Sequence, residues 1–332
     1  MLRVHLNPTD AWCAEHPDEC VGYADTTPEN PTRHGLMRPL ADDGLRPVRA
    51  SFYSSVWQDW ATAALGEFCQ KLANTPEGNA LFGLQLAYGV YGEWHQFGFI
   101  HHDPDTGPAA MTSFRSWLRD KYGEHSKLAD AWRQPGLTWA TVRAPTSAER
   151  EEARIGVLRD PQTQRSVIDY FTWLHEALTP IVLEFGQIAK TSWPRPLVTA
   201  AFFGYFYSAF GRQGAGSQLS ILPALKSPYL DCWCSPQSYE PDARAMGGPG
   251  NARGLIGVVR RAGKLWLDEM DHATTHSGCA WDADFASTAT DDIAMHRRNV
   301  LQPFTRGGGH WWYDFGPTGR TPPFERYGNV GS

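Results

Sequence analysis

At 332 residues the chain has room for one large α/β domain or two ordinary ones. With 20% charged and 42% hydrophobic residues it reads as globular, and no apolar stretch approaches the length of a membrane helix. A formal charge of −6 without a basic block argues against a nucleic acid or an anionic membrane as partner.

The chain opens on Met1 to Leu6, which reads as a strand. It has a charge but no apolar signal core, so a cytoplasmic location is the expectation. Asn7 to Trp12 is expected to be a strand-end loop, and a Pro- and acid-rich run to about residue 50 a covering loop. Ser54 or Ser55 is placed to cap a helix whose apolar stripe runs Trp57, Trp60, Ala61, Ala64, Leu65, Phe68, Leu72. A strand ending in Glu93 follows, then a loop with His101 and His102. Helices are predicted from about Met111, over Ser126–Trp132, and from about Gln164 to Thr191, the last with a stripe of Ile168, Phe171, Leu174, Leu178, Ile181, Phe185 and Ile188. Further strands are predicted at 197–205, 230–236, 263–269 and 309–314, with helices at 219–225, 255–261 and 288–304 between them.

Strand, loop and helix repeat without hairpins, the signature of parallel βα units. Neither a GxGxxG after an early strand nor a GxxxxGK[ST] occurs, which favours a barrel over a nucleotide-binding sheet. The expected fold class is α/β, of the (β/α)8 TIM-barrel type. Six strands are counted where eight close a barrel, so the first two are apparently missing. One domain is expected over 1–332: first strand and covering loop to residue 50, remaining barrel over 51–316, and a tail.

Two strand ends carry the chemistry. Gly263 to Asp271 passes from an apolar run to Asp268, Glu269 and Asp271, and the Leu84–Tyr91 segment ends in Glu93 beside Trp94. A buried acid is costly unless it is paired, solvated or used, and barrel strands aim their C-terminal ends at the active face. Alternation turns Asp268 away from Glu269, leaving it a structural or helix-capping part. Two such acidic strand ends suggest a hydrolase that works with two carboxyls. The chain has 14 Trp, 12 Tyr and 16 Phe; most belong in the core, and some suit stacking on a sugar ring. Of six cysteines, Cys232-x-Cys234 is read with its side chains on opposite strand faces; free buried thiols and no metal are expected.

The blocks Tyr91-Gly92-Glu93-Trp94, Phe114-Arg115-x-Trp117-Leu118-Arg119-x-Lys121-Tyr122-Gly123 and Leu128-x-x-Ala131-Trp132 resemble glycoside hydrolase family 42 and its β-galactosidase-like relatives. So do Ser235-Pro236-x-x-Tyr239 and Gly263-Lys264-Leu265-Trp266-x-Asp268-Glu269-x-Asp271. The resemblance implies a retaining glycosidase with Glu93 as acid/base, Glu269 as nucleophile, a carbohydrate substrate and no cofactor. It implies a hydrogen bond from Tyr239 to the nucleophile, and aligns the first segment with a third barrel strand. Gly92 stands where such enzymes usually have an Asn at the sugar 2-hydroxyl, and the zinc cysteines of some members are absent.

Further substrate-binding candidates are Trp311 or Trp312 as a stacking platform, Trp12 and Tyr205 as weaker ones, and Asn7, His101 and Asp271 for hydroxyls. Adjacent strand residues cannot both face one pocket. A gene fragment, a divergent start or a second chain are three readings of the missing strands, the last implying a homo-oligomer. An arabinosidase, fucosidase or glucosidase, or a non-catalytic carbohydrate-binding barrel, are the rival functions.

Overall fold

The computed structural model describes residues 1–24, 48–100, 102–152, 158–207, 212–216, 218–272, 275 and 286–313. Six strands, β1 (Leu2–His5), β2 (Gly83–Ala87), β3 (Val198–Phe202), β4 (Cys232–Pro236), β5 (Leu265–Met270) and β6 (Gly309–Trp312), form one sheet in sequential order. Every pair is parallel. Among the described residues β1 and β6 are the sheet's two edges, as the count of six strands predicts.

Helices fill each crossover. The first holds α1 (Asp10–Glu15), α2 (Ser55–Ala73) and α3 (Pro76–Asn79), and the second α4 (Pro108–Tyr122), α5 (His125–Trp132), α6 (Ser147–Glu151) and α7 (Arg165–Ser192). Then come α8 (Gln213–Gly216), α9 (Leu222–Lys226), α10 (Pro241–Arg244), α11 (Ile256–Arg261) and α12 (Ala289–Phe304). Ser54 caps α2 as expected, its hydroxyl accepting from Trp57 N. No described helix is long and apolar enough to cross a membrane.

Alternation along the strands sorts side chains into two cores. Leu84, Leu86, Ala201, Phe203, Trp233 and Trp266 face the helices and join the large cluster built on Trp57, Trp94, Trp173 and Phe185. Ala200, Phe202, Tyr205, Cys232 and Cys234 face the other way and form a small cluster with Leu267 and Trp311 inside the curved sheet. Most of the aromatic excess is spent on the first core; five tryptophans there are less than 2% exposed.

Several expectations are corrected. Residues 7–12 do not form a simple loop, because Thr9 caps α1 and accepts from Trp12 N at 3.1 Å. The strand before Glu93 stops at Ala87, since Gly89, Tyr91, Gly92 and Trp94 all take positive φ and the chain coils into a tight turn. The helix expected from residue 219 starts at Leu222. The buried face of α7 is centred on Tyr170, Trp173 and Leu174, with Ile168, Phe171 and Ile188 at its margin. Cys232 and Cys234 lie on one face with Sγ atoms 3.9 Å apart, because residues two apart on a strand point the same way. Most of the expected covering loop, and the tail, lie outside the described residues.

Candidate active site

Glu93 is held by the turn after β2. Val90 N donates to His95 O at 3.0 Å, Glu93 N to Val90 O at 3.0 Å and Trp94 N to Tyr88 O at 2.7 Å. Trp94 is fully buried and its indole donates to Leu86 O at 2.9 Å, pinning the turn to the strand below. Gln218 donates to the Glu93 carbonyl from the loop after β3. The carboxyl is thereby fixed over the C-terminal end of the sheet, 8% exposed.

Glu269 comes from the other side. It is on β5, paired in register with Pro236 on β4 and Trp311 on β6, and is 7% exposed. Trp311, the inward member of the Trp pair, lies close enough to favour the Glu269 carboxylate and meets Phe202 edge-on at 5.6 Å. Asp268 faces the helices, as alternation requires, and accepts from Trp266 Nε1 at 2.5 Å and Gln237 Nε2 at 3.2 Å. It is structural and caps no helix.

Behind the pair stands a charged frame. Asp271 is ion-paired with Arg244 and accepts from the Tyr239 hydroxyl. The expected donation from Tyr239 to the nucleophile is therefore redirected to the neighbouring acid. Arg244 and Arg253 lie over the Tyr239 ring at 4.1 and 5.0 Å, and Arg253 over Tyr205 at 4.5 Å. Tyr205 is buried beside Glu93, its hydroxyl near enough to favour the carboxylate though not aligned for a full hydrogen bond. On the β1 side, Arg3 donates to Tyr91 O and lies over Phe202 at 5.0 Å.

Gly92 has a steric cause. Its φ is +71°, and a Cβ there would stand 2.5 Å from Arg3 Nη2 and 2.9 Å from His5 Cε1. A side chain at this position would be strained by the backbone and would have to displace Arg3 and His5.

Burial shifts both carboxyls upward. Glu93 is raised to about 7, with Asp271 adding to the shift and Arg253, Tyr205 and Arg3 opposing it. Glu269 is raised to about 9 by burial first, then by the charges of Asp271 and Glu93, against Arg3 and Trp311. At neutral pH the pair holds at least one proton, and Glu269 holds it more firmly. That order is the reverse of the one the resemblance implies.

The remaining predicted residues scatter. Trp312 is on the outer face, its ring parallel to His296 of α12 at 6.4 Å. Trp12 stacks on His16 at 4.4 Å and packs towards Trp60 of α2, away from the pair. Asn7 is exposed beyond the end of β1. His101 lies outside the described residues; its neighbour His102 is buried against Tyr23. Sequence reasoning missed Arg3, Arg244 and Arg253. For Arg3 a signal existed, since Leu2 and Val4 face the helices and alternation leaves Arg3 on the inner face. Arg244 ends the one-turn helix α10 and Arg253 comes from a loop, and neither segment is long enough to show a periodic pattern. Among the described residues no group of three His, Cys, Asp or Glu side chains could hold a metal.

No protein-family profile matches the chain, and no curated protein matches its sequence. Solved structures match by shape. The catalytic domain of the β-amylase from Paenibacillus polymyxa superposes with a TM-score of 0.62 at 13% identity, over 98% of this chain and 73% of that one. A β-galactosidase from Bacillus circulans sp. alkalophilus gives 0.57 at 15% identity, over 98% and 44%. The cold-adapted β-galactosidase from Rahnella sp. R3 gives 0.53 at 14%, over 98% and 41%. The chain thus spans less than half the length of these β-galactosidases. At such identities the likeness establishes the fold: this is the β/α-barrel type of those enzymes, with six strands described.

Proposed function

We propose that the protein is a retaining β-glycoside hydrolase, β-galactosidase-like in its substrate, with Glu93 and Glu269 as its two working carboxyls. The observation that carries this reading is a pair of buried, electrostatically coupled glutamates over the C-terminal ends of parallel strands, with Trp311 and Tyr205 beside them. The barrel-type fold, found in several glycosidases, agrees with it.

In the reaction one carboxylate attacks the anomeric carbon while the other, protonated, hands its proton to the leaving oxygen. Water then reverses the exchange, the second group now acting as base. Glu269 is the proposed nucleophile, being rigid on β5 with Trp311 able to donate to the carboxylate; Glu93, on a turn, is the acid/base. For this the proton favoured by Glu269 must pass to Glu93 when the sugar binds.

The resting proton order favours a second assignment, with the two roles exchanged. Kinetics of Glu93→Ala and Glu269→Ala on nitrophenyl β-glycosides, with added azide, separate the two. The acid/base variant keeps turnover of a good leaving group and yields a glycosyl azide of retained configuration; the nucleophile variant loses turnover by about 10⁴-fold or more, comparable to loss of other nucleophiles. Equal activity in wild type and both variants sinks the proposal. Binding of sugars by the wild type without any turnover would make the protein a carbohydrate-binding barrel.

A further inference from the structure

Arg253 is a buried cation, 1% exposed, whose guanidinium lies over two tyrosine rings, 4.5 Å from that of Tyr205 and 5.0 Å from that of Tyr239. Backbone bonds hold it there. Its carbonyl accepts from Phe206 N at 2.8 Å and Tyr207 N at 2.9 Å, just after Tyr205. The preceding Ala252 bridges Gln237, two residues before Tyr239. Gly254 lets the same segment pack closely, since a Cβ there would meet the Trp266 ring and the Gly204 carbonyl. The segment thus clasps both stretches that carry the tyrosines, and its cation has little room to move.

The two tyrosines serve different acids. Tyr239 donates to Asp271, which Arg244 already pairs, whereas Tyr205 is buried beside Glu93. The charged and titratable groups facing Glu93 come from every element around it. They are Arg3 from β1, Tyr205 from the loop after β3, Tyr239 and Arg253 from the chain after β4, and Glu269 and Asp271 from β5 and its end. His95, on the same turn as Glu93, is kept neutral by burial. Burial opposes the Glu93 carboxylate, and Arg253 is the first of the groups that favour it; for Glu269 those groups are Arg3 and Trp311. Through the displacement the pair keeps one negative charge, and that charge moves. Glu269 gives it up on bonding to the anomeric carbon, and Glu93 gains it on releasing its proton. A cation that acts more strongly on the second position than on the first stabilises the transition state over the ground state, and only such interactions accelerate the step.

We propose that Arg253 is a positioning residue for proton transfer, holding Tyr205 beside Glu93 and supplying the charge against which Glu93 becomes a carboxylate. This rests on the reading of Glu93 as the acid/base of a glycosidase, and says how that residue gives up its proton in a buried site. As the glycosidic C–O bond breaks, its electron pair stays on the leaving oxygen and the Glu93 proton passes to that oxygen. The negative charge left on Glu93 is offset by the Arg253 guanidinium until water returns a proton in the second step.

The test uses aryl β-galactosides of graded leaving-group basicity, from dinitrophenyl to phenyl, with wild type, Arg253→Met and Arg253→Lys. Without the cation Glu93 is a weaker acid, so the loss in kcat/KM should deepen as the leaving group depends more on its proton. Arg253→Met is expected to lose at least about tenfold more on the phenyl than on the dinitrophenyl galactoside. Its acid-side pH–rate limb should rise by about 1, and Arg253→Lys, which keeps a charge without the planar group, should fall between it and wild type. Arg253→Gln repeats the measurement should Arg253→Met not fold. An equal loss on every leaving group with unmoved limbs is what a merely structural residue gives, and it overturns the inference. So does an assignment of Glu93 as the nucleophile. NMR titration of isotope-labelled glutamate side chains needs no turnover and keeps the two readings apart. A Glu93 titration that rises in Arg253→Met, in a protein whose wild type hydrolyses no glycoside, overturns the glycosidase and retains the hold of Arg253 on Glu93. Turnover by wild type with the same Glu93 titration in every variant overturns the role of Arg253 and leaves the glycosidase.

Discussion

The raised carboxyls of Glu93 and Glu269 make pH the first handle on the site. With folded values of about 7 and about 9, the pair is singly protonated between them. A mechanism needing one acid and one base therefore predicts a bell in kcat/KM with limbs near those values and a maximum near pH 8. Steady-state rates across pH 5 to 10 check this; a maximum below about pH 6 contradicts the burial seen here. Stability should move the opposite way to ordinary surface acids. Both folded values lie above the unfolded 4.5, so the folded protein keeps protons that the unfolded chain has released. The penalty is absent below about 4.5, grows as pH rises through 7 and towards 9, and is then constant. Glu269→Gln, which cannot ionise, should melt several degrees above wild type at pH 8 and close to it at pH 4.5, since each kcal/mol moves Tm by roughly 2–4 °C or somewhat less in a chain this long. A gap independent of pH in scanning calorimetry would show that the glutamate is not raised. Much of this site was legible from the sequence: alternation alone sent Glu269 inward and Asp268 outward. The direction of the Tyr239 bond was not, because it depends on Arg244, which ends the one-turn helix α10, too short to show a period. Trp311 and Trp312 had the same composition signal, and only the register with Glu269 separates them.

At the level of elements, the motif that made the chain familiar proves to be scaffold. Phe114 to Tyr122 lies on α4, and its Lys121 and Tyr122 reach Asp169 on α7 at 2.9 and 2.6 Å. Trp132 of α5 donates to the same carboxylate at 2.8 Å, and Arg165 pairs with it at 3.1 Å. Asp169 is fully buried, so one acid ties three helices together. The helical stripe read from the sequence found α7 but passed over Asp169, because a charged residue next to the stripe reads as solvated when its partners on α4 and α5, 37 to 48 positions away, are unknown. Removing the acid leaves Lys121 and the Tyr122 and Trp132 donors without their acceptor. Asp169→Ala should therefore cost about 3–5 kcal/mol in urea denaturation, the range for breaking a buried ion pair. Its pH–rate profile should keep the wild-type limbs, since α4 and α5 dock on α7 and do not carry the glutamate pair. A cost within about 0.5 kcal/mol, the range of an ordinary surface change, would show that the carboxylate is solvated.

For the molecule as a whole, the open question raised by counting strands becomes a question about two edges. β2 and β4 are buried along their whole length, whereas β1 and β6 are mostly half-exposed and, among the described residues, each is hydrogen-bonded to a strand on one side only. An exposed parallel edge offers unpaired N–H and C=O groups to any strand that can reach them. Arg3 lies on one of these edges and Trp311 on the other, so whatever covers the gap also borders the glutamate pair. Hydrogen exchange reads this directly, because amide protection follows the free energy of local opening. In dilute solution the amides of β3 and β4 should exchange slowest, and those of β1 and β6 faster. Raising the protein concentration should leave β3 and β4 unchanged. If β1 and β6 then become protected together, a second copy is supplying the missing pairing, and activity should rise with the same concentration dependence. If both edges are as protected as β3 at every concentration, the sheet is not open, and the description of β1 and β6 as edges fails.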